Sequence, residues 1–436
     1  MAATKIKRID PAKLSRARMQ KGWSQERLAS ELQRAGVDSR TSVRTLQTYE
    51  STGRVPDPMV TILANVLDVP EQELLPDAKA PWRIPLMTYD PSWMPPAALL
   101  RADVGAVEFH FREKEIASLR QWCSTPQRTM AMLCVGPGGI GKTRLATEIC
   151  RVMSQEESWR AGFLDYKACV LDLELWKDIF NDPSPLLLVM DYADHRSSIV
   201  LWLLQEAIKR NGRNNIRFLF LARKAGEWWE RLKNSDLARE FLRGPALSRL
   251  NLPPIALSKE KREESHAIAA KAFGFALSRP LSWAPPENLE DECFGRALLI
   301  HMHALASVDG VSLKGEDGLL DYVLGRERSY WEGRLTEASL PVSLLPALGQ
   351  MMVIATLAGG IQDEQDGLTI LSKLPFLKDR SHDVIHALNQ ILSDCYPCEN
   401  WIGPILPDLL GERLIETHAS DGAFTKAAFQ LVRLLR

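Results

Sequence analysis

The sequence has neither a surplus of charge nor a long apolar run. Its 54 basic and 55 acidic residues leave a net charge of −1 over 436 residues. That balance is ordinary for a globular chain, so any electrostatic clue must be local. No apolar run approaches the roughly 20 residues that span a bilayer; "PLLLVM" stops at once at Asp191. The opening "MAATKIKRID" lacks the apolar core of a secretory leader. The seven cysteines are scattered, as free thiols are in a reducing compartment. Cys395 and Cys398 form the one close pair, and no second pair at similar spacing follows to complete a zinc site. A cytoplasmic location is therefore expected, with no membrane partner. The chain length suits two to four domains.

What is present is unevenly distributed. Residues 1–55 hold twelve Lys or Arg against five Asp or Glu, a local excess of the kind that meets a phosphate backbone. The same stretch reads as short helices. "PAKLSRARMQKG" carries apolar or small residues at Leu14, Ala17 and Met19 and stops at Gly22. "SQERLASELQRAG" starts at Ser24, a good N-cap, keeps Leu28 and Leu32 on one face and ends at Gly36. "TSVRTLQTYESTG" places Val43, Leu46 and Tyr49 at helical spacing before Gly53, and "DPMVTILANVLDVPEQELL" follows with Val60, Leu63, Ala64 and Leu67. The pieces "LSRARMQKGWSQERLA", "RTLQTYESTGRVP" and "ILANVLDVPEQELL" together resemble the helix-turn-helix of the Cro/repressor type, the XRE family, over residues 11–76. The resemblance implies double-stranded DNA as partner of residues 11–55. The second helix of the pair would enter the major groove, with Arg44, Thr45, Gln47 and Thr48 facing outward and Gln25 at the DNA backbone. The stretch from Ala29 to Leu46 exceeds the family's tight turn by about seven residues, which leaves room for a protein-binding role.

Residues 77–105 are Pro-rich and unpatterned and are expected to be a linker. Next, "TMAMLCV" reads as a buried strand and runs into "GPGGIGKT", with "KTRLATEICRVM" as the following helix. Strand, glycine-rich loop and helix in this order are the setting a phosphate-binding loop needs. Backbone N–H groups of Gly136, Pro137's neighbours, Gly138, Gly139, Ile140 and Gly141 would turn toward the phosphates. Lys142 would reach the β and γ phosphates, Thr143 would ligate magnesium, and the start of the helix through Arg144 would face the charge. The expected ligands are ATP or ADP with Mg2+. "PLLLVMDYAD" is a second buried strand ending in Asp191, the natural second holder of magnesium, through water. Asp194 either orients the attacking water or caps a helix. "IRFLFLAR" ends in Arg223, either a γ-phosphate sensor or a surface cation, and "RLNLPPIALS" supplies a fourth strand before an amphipathic helix. Strands alternating with helices, with ligand residues at strand C-termini, mean a doubly wound parallel α/β sheet.

"FHFREKE", "GPGGIGKT", "LLLVMDYAD", "FLFLAR" and "LPPIALS" together resemble the STAND class of signalling ATPases, close to the NB-ARC type, and "LLDYVLGRERSYW", "ATLAGG" and "LPDLLGERLI" extend the resemblance across residues 107–418. That resemblance implies a multidomain chain: an all-α helix-turn-helix domain (1–76), the linker (77–105), an α/β P-loop core (106–254), a helical lid (255–335), a winged-helix-like domain (336–418) and the start of a helical segment (419–436). It also implies that Phe109 and Arg112 line the base, although Phe111 stands where the motif usually has glycine. Pro253 or Pro254 would pack near the nucleotide. A His-Asp pair of the winged helix would be His382 and Asp383, in a stretch that fits an ordinary helix better. His301 and His303 on an apolar helix, and Trp228 and Trp229, read as packing residues. The class implies a switch, off with ADP and on with ATP, with slow hydrolysis as reset and self-association in the ATP state. With DNA-reading helices attached, that makes a transcription regulator. The alternatives are an innate-defence ATPase whose N-terminal helices are a protein adaptor, and an ATP-driven DNA remodeller or initiator. A sensor or effector protein is a further expected partner.

Overall fold

Ser24 accepts a hydrogen bond from the N–H of Arg27 and so opens a helix where the sequence places one. The computed structural model describes residues 6–9, 11–37, 43–52, 54–74, 81–165, 176, 179–209, 214–235, 247–255, 258–279, 289–398 and 401–434. Two compact units divide at Trp82 and Arg83.

The first unit contains α1 (Pro11–Gln20), α2 (Gln25–Arg34), α3 (Val43–Thr52), α4 (Asp57–Leu67) and α5 (Glu71–Leu74). Leu14, Leu28, Leu32, Leu46, Tyr49, Val60, Leu63 and Leu67 are buried together, the stripes the sequence spacing selects. Met19 is the exception, at 65% exposure. The expectation of an all-α unit is corrected by an antiparallel pair, β1 (Ile6–Arg8) with β2 (Arg54–Pro56). Three residues per strand are too few to print an alternating pattern, and fully buried Val55 holds the pair to the helices.

In the second unit, β4 (Thr129–Val135), β5 (Arg160–Leu164), β6 (Leu186–Met190), β7 (Ile216–Ala222) and β8 (Leu247–Asn251) form one sheet with the two-residue β3 (Trp82–Arg83), which falls on the boundary between the units, ordered β3-β5-β6-β7-β4-β8. The β4–β7, β4–β8, β5–β6 and β6–β7 pairs are parallel. Continuous apolar runs such as LLLVM and IRFLFLA are what a sheet covered on both faces requires. Helices α6 (Glu113–Cys123) and α7 (Lys142–Glu156) pack on each other, and α7 lies against the sheet. One member of the buried strand is charged. Arg217 is fully buried and donates to the carbonyls of Trp122 (3.2 Å), Thr125 (2.7 Å), Arg128 (3.2 Å) and Ile216 (3.0 Å). Its guanidinium also lies over the rings of Trp122 and Trp159, and burial lowers its pKa to about 10.

Around the sheet stand α8 (Ser197–Lys209) and α9 (Gly226–Asn234). The rest of the unit is helical: α10 (Lys259–Ala276), α11 (Ala297–Val308), α12 (Gly315–Glu337), α13 (Leu345–Ala358), α14 (Glu364–Ser372), α15 (His382–Cys395), α16 (Asp408–Ala419) and α17 (Gly422–Leu434). Residues assigned from sequence to a lid, a winged helix and a tail share one apolar core that runs from Ala97 to Val432. Leu368–Phe376 is helix followed by a 3-10 turn. Among the described residues of that region the single extended pairing is the bridge Ile361↔Ile402, so no β wing is present there. Residues 83–105 are likewise not a free linker. Pro96–Leu100 forms a 3-10 turn whose Ala97, Leu99 and Leu100 enter the same core, because four consecutive small or apolar residues follow its proline. Among the described residues, no helix is long and apolar enough to cross a membrane.

Candidate functional site

At the C-terminal edge of β4 the chain turns through Gly136–Gly141 into α7. Gly139 (φ +76°) and Gly141 (φ +102°) hold left-handed backbone that side chains rarely adopt, and Gly141 caps α7. The N-terminus of α7 therefore points unpaired N–H groups into the loop, a ready anion site. Lys142 Nζ donates to the carbonyls of Gly136 (2.7 Å) and Pro137 (3.1 Å). Burial lowers the Lys142 pKa, with Asp191 opposing. Asp191 follows β6, and β7 lies between β4 and β6. Thr143 Oγ1 donates to Asp191 Oδ2 at 2.8 Å. Burial raises the Asp191 pKa, against the hydrogen bonds from Thr143 and the Tyr192 N–H. A hydroxyl and a carboxylate oxygen on one spot are the hard donor set a magnesium ion takes, so Thr143 and Asp191 fit that ion. A nucleotide's phosphates would compete with the two carbonyls for Lys142.

The register Val135↔Ala222 sets Arg223 beside Gly136. Its guanidinium is held by α16: it donates to Glu412 Oε1 and stands 3.7 Å from Asp408 Oδ2. The Glu412 hydrogen bond raises the Arg223 pKa. Tyr192, in left-handed conformation (φ +53°), donates its hydroxyl to Asp408 Oδ1 at 2.6 Å. Burial, then Asp408 and Asp191, push that phenol up, so it donates as a neutral group. Leu409 completes the contact. A Cβ on Gly138 or Gly139 would meet its side chain at 3.1 Å, and one on Gly139 would meet Leu298 Cβ at 3.0 Å. The Leu298 N–H donates to the Gly139 carbonyl at 3.0 Å. Sequence reasoning missed Tyr192, Leu298, Asp408, Leu409 and Glu412. They are ordinary helix or turn residues, up to 271 positions from the residues they touch, and no periodicity or spacing marks them.

The motif before α6 sits on the other flank. Arg112 is nearly buried, donating to the Ile140 carbonyl (3.2 Å) and to Glu115 (3.0 Å). It thus grips the loop's backbone instead of projecting free toward a base. Phe109 packs at the edge of the sheet core with Arg144 over its ring. Phe111, in the place of the motif's usual glycine, keeps a glycine-like φ of +58°. Of the residues after β8, Leu252 is the buried one, donating its N–H to Val135 and lying 3.7 Å from a Cβ placed on Gly136; Pro253 and Pro254 are exposed, the latter against Gly295.

Asp194 falls in the first turn of the 3-10 helix Ala193–Arg196, with His195 4.0 Å away. Among the described contacts none joins Asp194 to Lys142 or Thr143. His382 and Asp383 are exposed in the first turn of α15, and α16 reaches the loop instead. His303 is buried against His266 (3.1 Å), and burial lowers His266 and His301 to about 4 and 3, so both are neutral packing residues. Trp229 is buried, in edge contact with Trp228 and Phe220.

In the first unit, α2 ends at Arg34 and α3 begins at Val43; residues 38–42 lie outside the described residues. Leu46 and Tyr49 face inward as expected, Gln47 is exposed and Thr45 half-buried. The side chains of Arg44 and Thr48 lie outside the description. Gln25 Nε2 donates to Glu50 Oε2 at 2.7 Å, and Glu50 also takes a two-point hydrogen bond from Arg18. That trio fixes Gln25 at the start of α2 against α3.

No protein-family model matches the sequence, and no curated protein matches it. Among solved structures, the chain is similar to the Aeropyrum pernix ORC2 protein in ADPNP–ADP complexes, at 16% identity over 79% of this chain and 97% of that one, with a TM-score of 0.32. It is similar to Cdc6p from Pyrobaculum aerophilum at 12% identity over 78% and 99%, TM-score 0.35. It is similar to domain III of the Thermotoga maritima replication initiation protein DnaA at 15% identity over 52% and 94%, TM-score 0.31. At such TM-scores these likenesses carry no argument. The assignment of the second unit as an α/β P-loop domain with a helical region rests on its strand order, its glycine loop and the Lys142, Thr143 and Asp191 geometry.

Proposed function

We propose that this protein is a nucleotide-controlled switch of the STAND, NB-ARC-like type, binding ATP or ADP with Mg2+ at Gly136–Arg144 and acting through an XRE-type DNA-binding unit as a transcription regulator. The observation that carries the reading is α16 seated on the loop, with Leu409 over Gly138 and Gly139 and Glu412 and Asp408 on Arg223. Phosphate is a stronger partner for a guanidinium than a half-exposed carboxylate is. A γ-phosphate near Arg223 would also meet the negative charge of Asp408 and Glu412. ATP and the seated α16 therefore compete, whereas ADP leaves Arg223 to α16. Magnesium, held by Thr143 and Asp191, would neutralise phosphate charge. Lys142 would bind the phosphates, and slow hydrolysis would reset the switch.

Release of α16 would promote self-association, pairing two N-terminal units on adjacent half-sites. Pairing raises their effective concentration on DNA, which one small helical unit needs. The experiment is selection from a random double-stranded DNA library by wild type with ADP, wild type with ATP, and Lys142→Ala. Enrichment of one sequence that ATP sharpens and Lys142→Ala abolishes supports the reading. The absence of any enriched sequence would sink it and favour a protein-adaptor role in defence. That second reading draws on the eight residues separating α2 from α3, a spacing wider than a tight DNA-reading turn.

A further inference from the structure

Glu327 is a fully buried carboxylate on α12, more than seventy residues of chain from any residue assigned to the nucleotide. Its Oε1 accepts the N–H of Ala97 at 2.7 Å and its Oε2 accepts the hydroxyl of Tyr396 at 2.5 Å. Tyr396 in turn receives the indole N–H of Trp331 at 2.8 Å. One turn further along α12, the Tyr330 hydroxyl donates to the Trp93 carbonyl at 2.6 Å. Two residues three apart on α12 thus pin both ends of Trp93–Ala97 by main-chain atoms.

The pinned stretch continues as a strap to the nucleotide loop. Ile84 and Phe109 pack on the sheet core, whereas Ala97, Leu99, Leu100 and Val107 belong to the helical core. The strap leaves the sheet, is clasped by α12 and returns. On its return Gly105 lies against the Arg144 guanidinium, 3.0 Å from a Cβ placed there, and the Val107 carbonyl accepts from Arg144 at 3.3 Å. Five residues on, Arg112 holds the Ile140 carbonyl.

We propose that Glu327 is a positioning residue for the nucleotide loop, acting through the strap Trp93–Arg112 on Arg144 and on the Ile140 carbonyl. The proposal rests on nucleotide binding at Gly136–Arg144 and is independent of whether α16 responds to ATP. A buried carboxylate contributes little to stability that an apolar side chain would not, but it presents a directional acceptor to Ala97 that an apolar side chain cannot. Loss of that acceptor leaves a buried N–H unpaired, and the strap relaxes toward solvent. With it go the contacts at Gly105 and Val107 that set the Arg144 head group beside the loop.

The test uses the full chain as wild type, Glu327→Leu, Tyr330→Phe and Glu327→Gln, with two readouts: affinity for a fluorescent ADP, and amide hydrogen exchange of residues 96–107, 140–146 and 408–419. In Glu327→Leu, exchange at 96–107 and at 140–146 rises about tenfold and ADP binds several-fold more weakly, while 408–419 is unchanged. Tyr330→Phe gives the same pattern at smaller amplitude and guards against a folding defect in the first variant. Glu327→Gln keeps an acceptor for Ala97 and restores binding. The proposal is overturned if 96–107 loosens while 140–146 and ADP affinity stay at wild-type values, or if Glu327→Gln is no better than Glu327→Leu. Should the wild type bind no nucleotide, the reading of the P-loop falls, and the exchange at 140–146 still decides the strap.

Discussion

Arg217 under the sheet and Glu327 in the helical region are both fully buried charges, yet they are satisfied in opposite ways. Arg217 is met by four carbonyls of the sheet and of the turn that feeds it, all main-chain atoms placed by covalent geometry and strand pairing. Glu327 is met by one main-chain N–H from a distant segment and by one hydroxyl at the end of another helix. The first arrangement cannot be undone without pulling apart the start of the inner strand β7 and the turn that leads into β4. The second comes apart whenever α12, the strap and the end of α15 separate. The α/β layer is built to hold its loop, and the helical layer is built from contacts that can be exchanged.

Predictions that break or sharpen this contrast fall in order of size. Replacing Arg217 with Met strands several buried carbonyls and should cost about 3 kcal/mol or more of unfolding free energy, read from the urea midpoint. A cost below about 1 kcal/mol would mean that the guanidinium is not the staple described. Glu327 should make the helical layer sensitive to pH. Burial pushes its pKa from 4.5 up to about 7, with Tyr396 and Ala97 pulling it down, then Arg326; Tyr89, Tyr330 and Cys395 are the other titratable groups it influences. The folded state then binds more protons than the unfolded state between those values, so stability falls as pH rises through that window. Relative to wild type, Glu327→Gln should gain on the order of 3 kcal/mol between pH 4.5 and pH 8, seen as diverging melting curves. Parallel curves would remove the uncompensated carboxylate from the account.

Two smaller effects address the place where the layers meet. Gly139→Ala combines a positive φ with Cβ contacts at 3.0 Å to Leu298 and 3.1 Å to Leu409. It should cost about 1–2 kcal/mol and raise hydrogen exchange in α16 before it affects β4. Glu412→Gln removes one partner of a half-exposed ion pair, an interaction of at most about 1 kcal/mol. Its expected result is a shift of a few-fold in preference from ADP toward ATP, measured by competition binding. An unchanged preference would separate α16 seating from nucleotide choice.

Much of the α/β layer was legible in the sequence. Strands such as TMAMLCV and LLLVM are continuous apolar runs, and glycines at 139 and 141 announce the positive backbone angles the loop takes. The helices of the first unit followed from their caps and stripes. Strand β5 escaped because RAGFL has neither a long apolar run nor an alternation. The strap escaped because prolines and mixed composition read as linker, although PAALL is apolar enough to be buried. Separate lid and winged-helix domains were expected from a resemblance, and the single core from Ala97 to Val432 does not divide that way.

The sequence by itself determined the glycine loop with Lys142 and Thr143, the acid at the end of β6, the arginine at the end of β7 and the faces of the first helices. Each depends on neighbours within a few residues, where covalent spacing and local periodicity decide the outcome. The tertiary structure alone decided that α16 lies on the loop, that Tyr192 and Arg223 are held by Asp408 and Glu412, and that Glu327 clasps the strap. Those contacts join residues roughly 190 to 230 positions apart. Only the packing of one apolar core against another sets such distances, and a linear pattern carries no record of it.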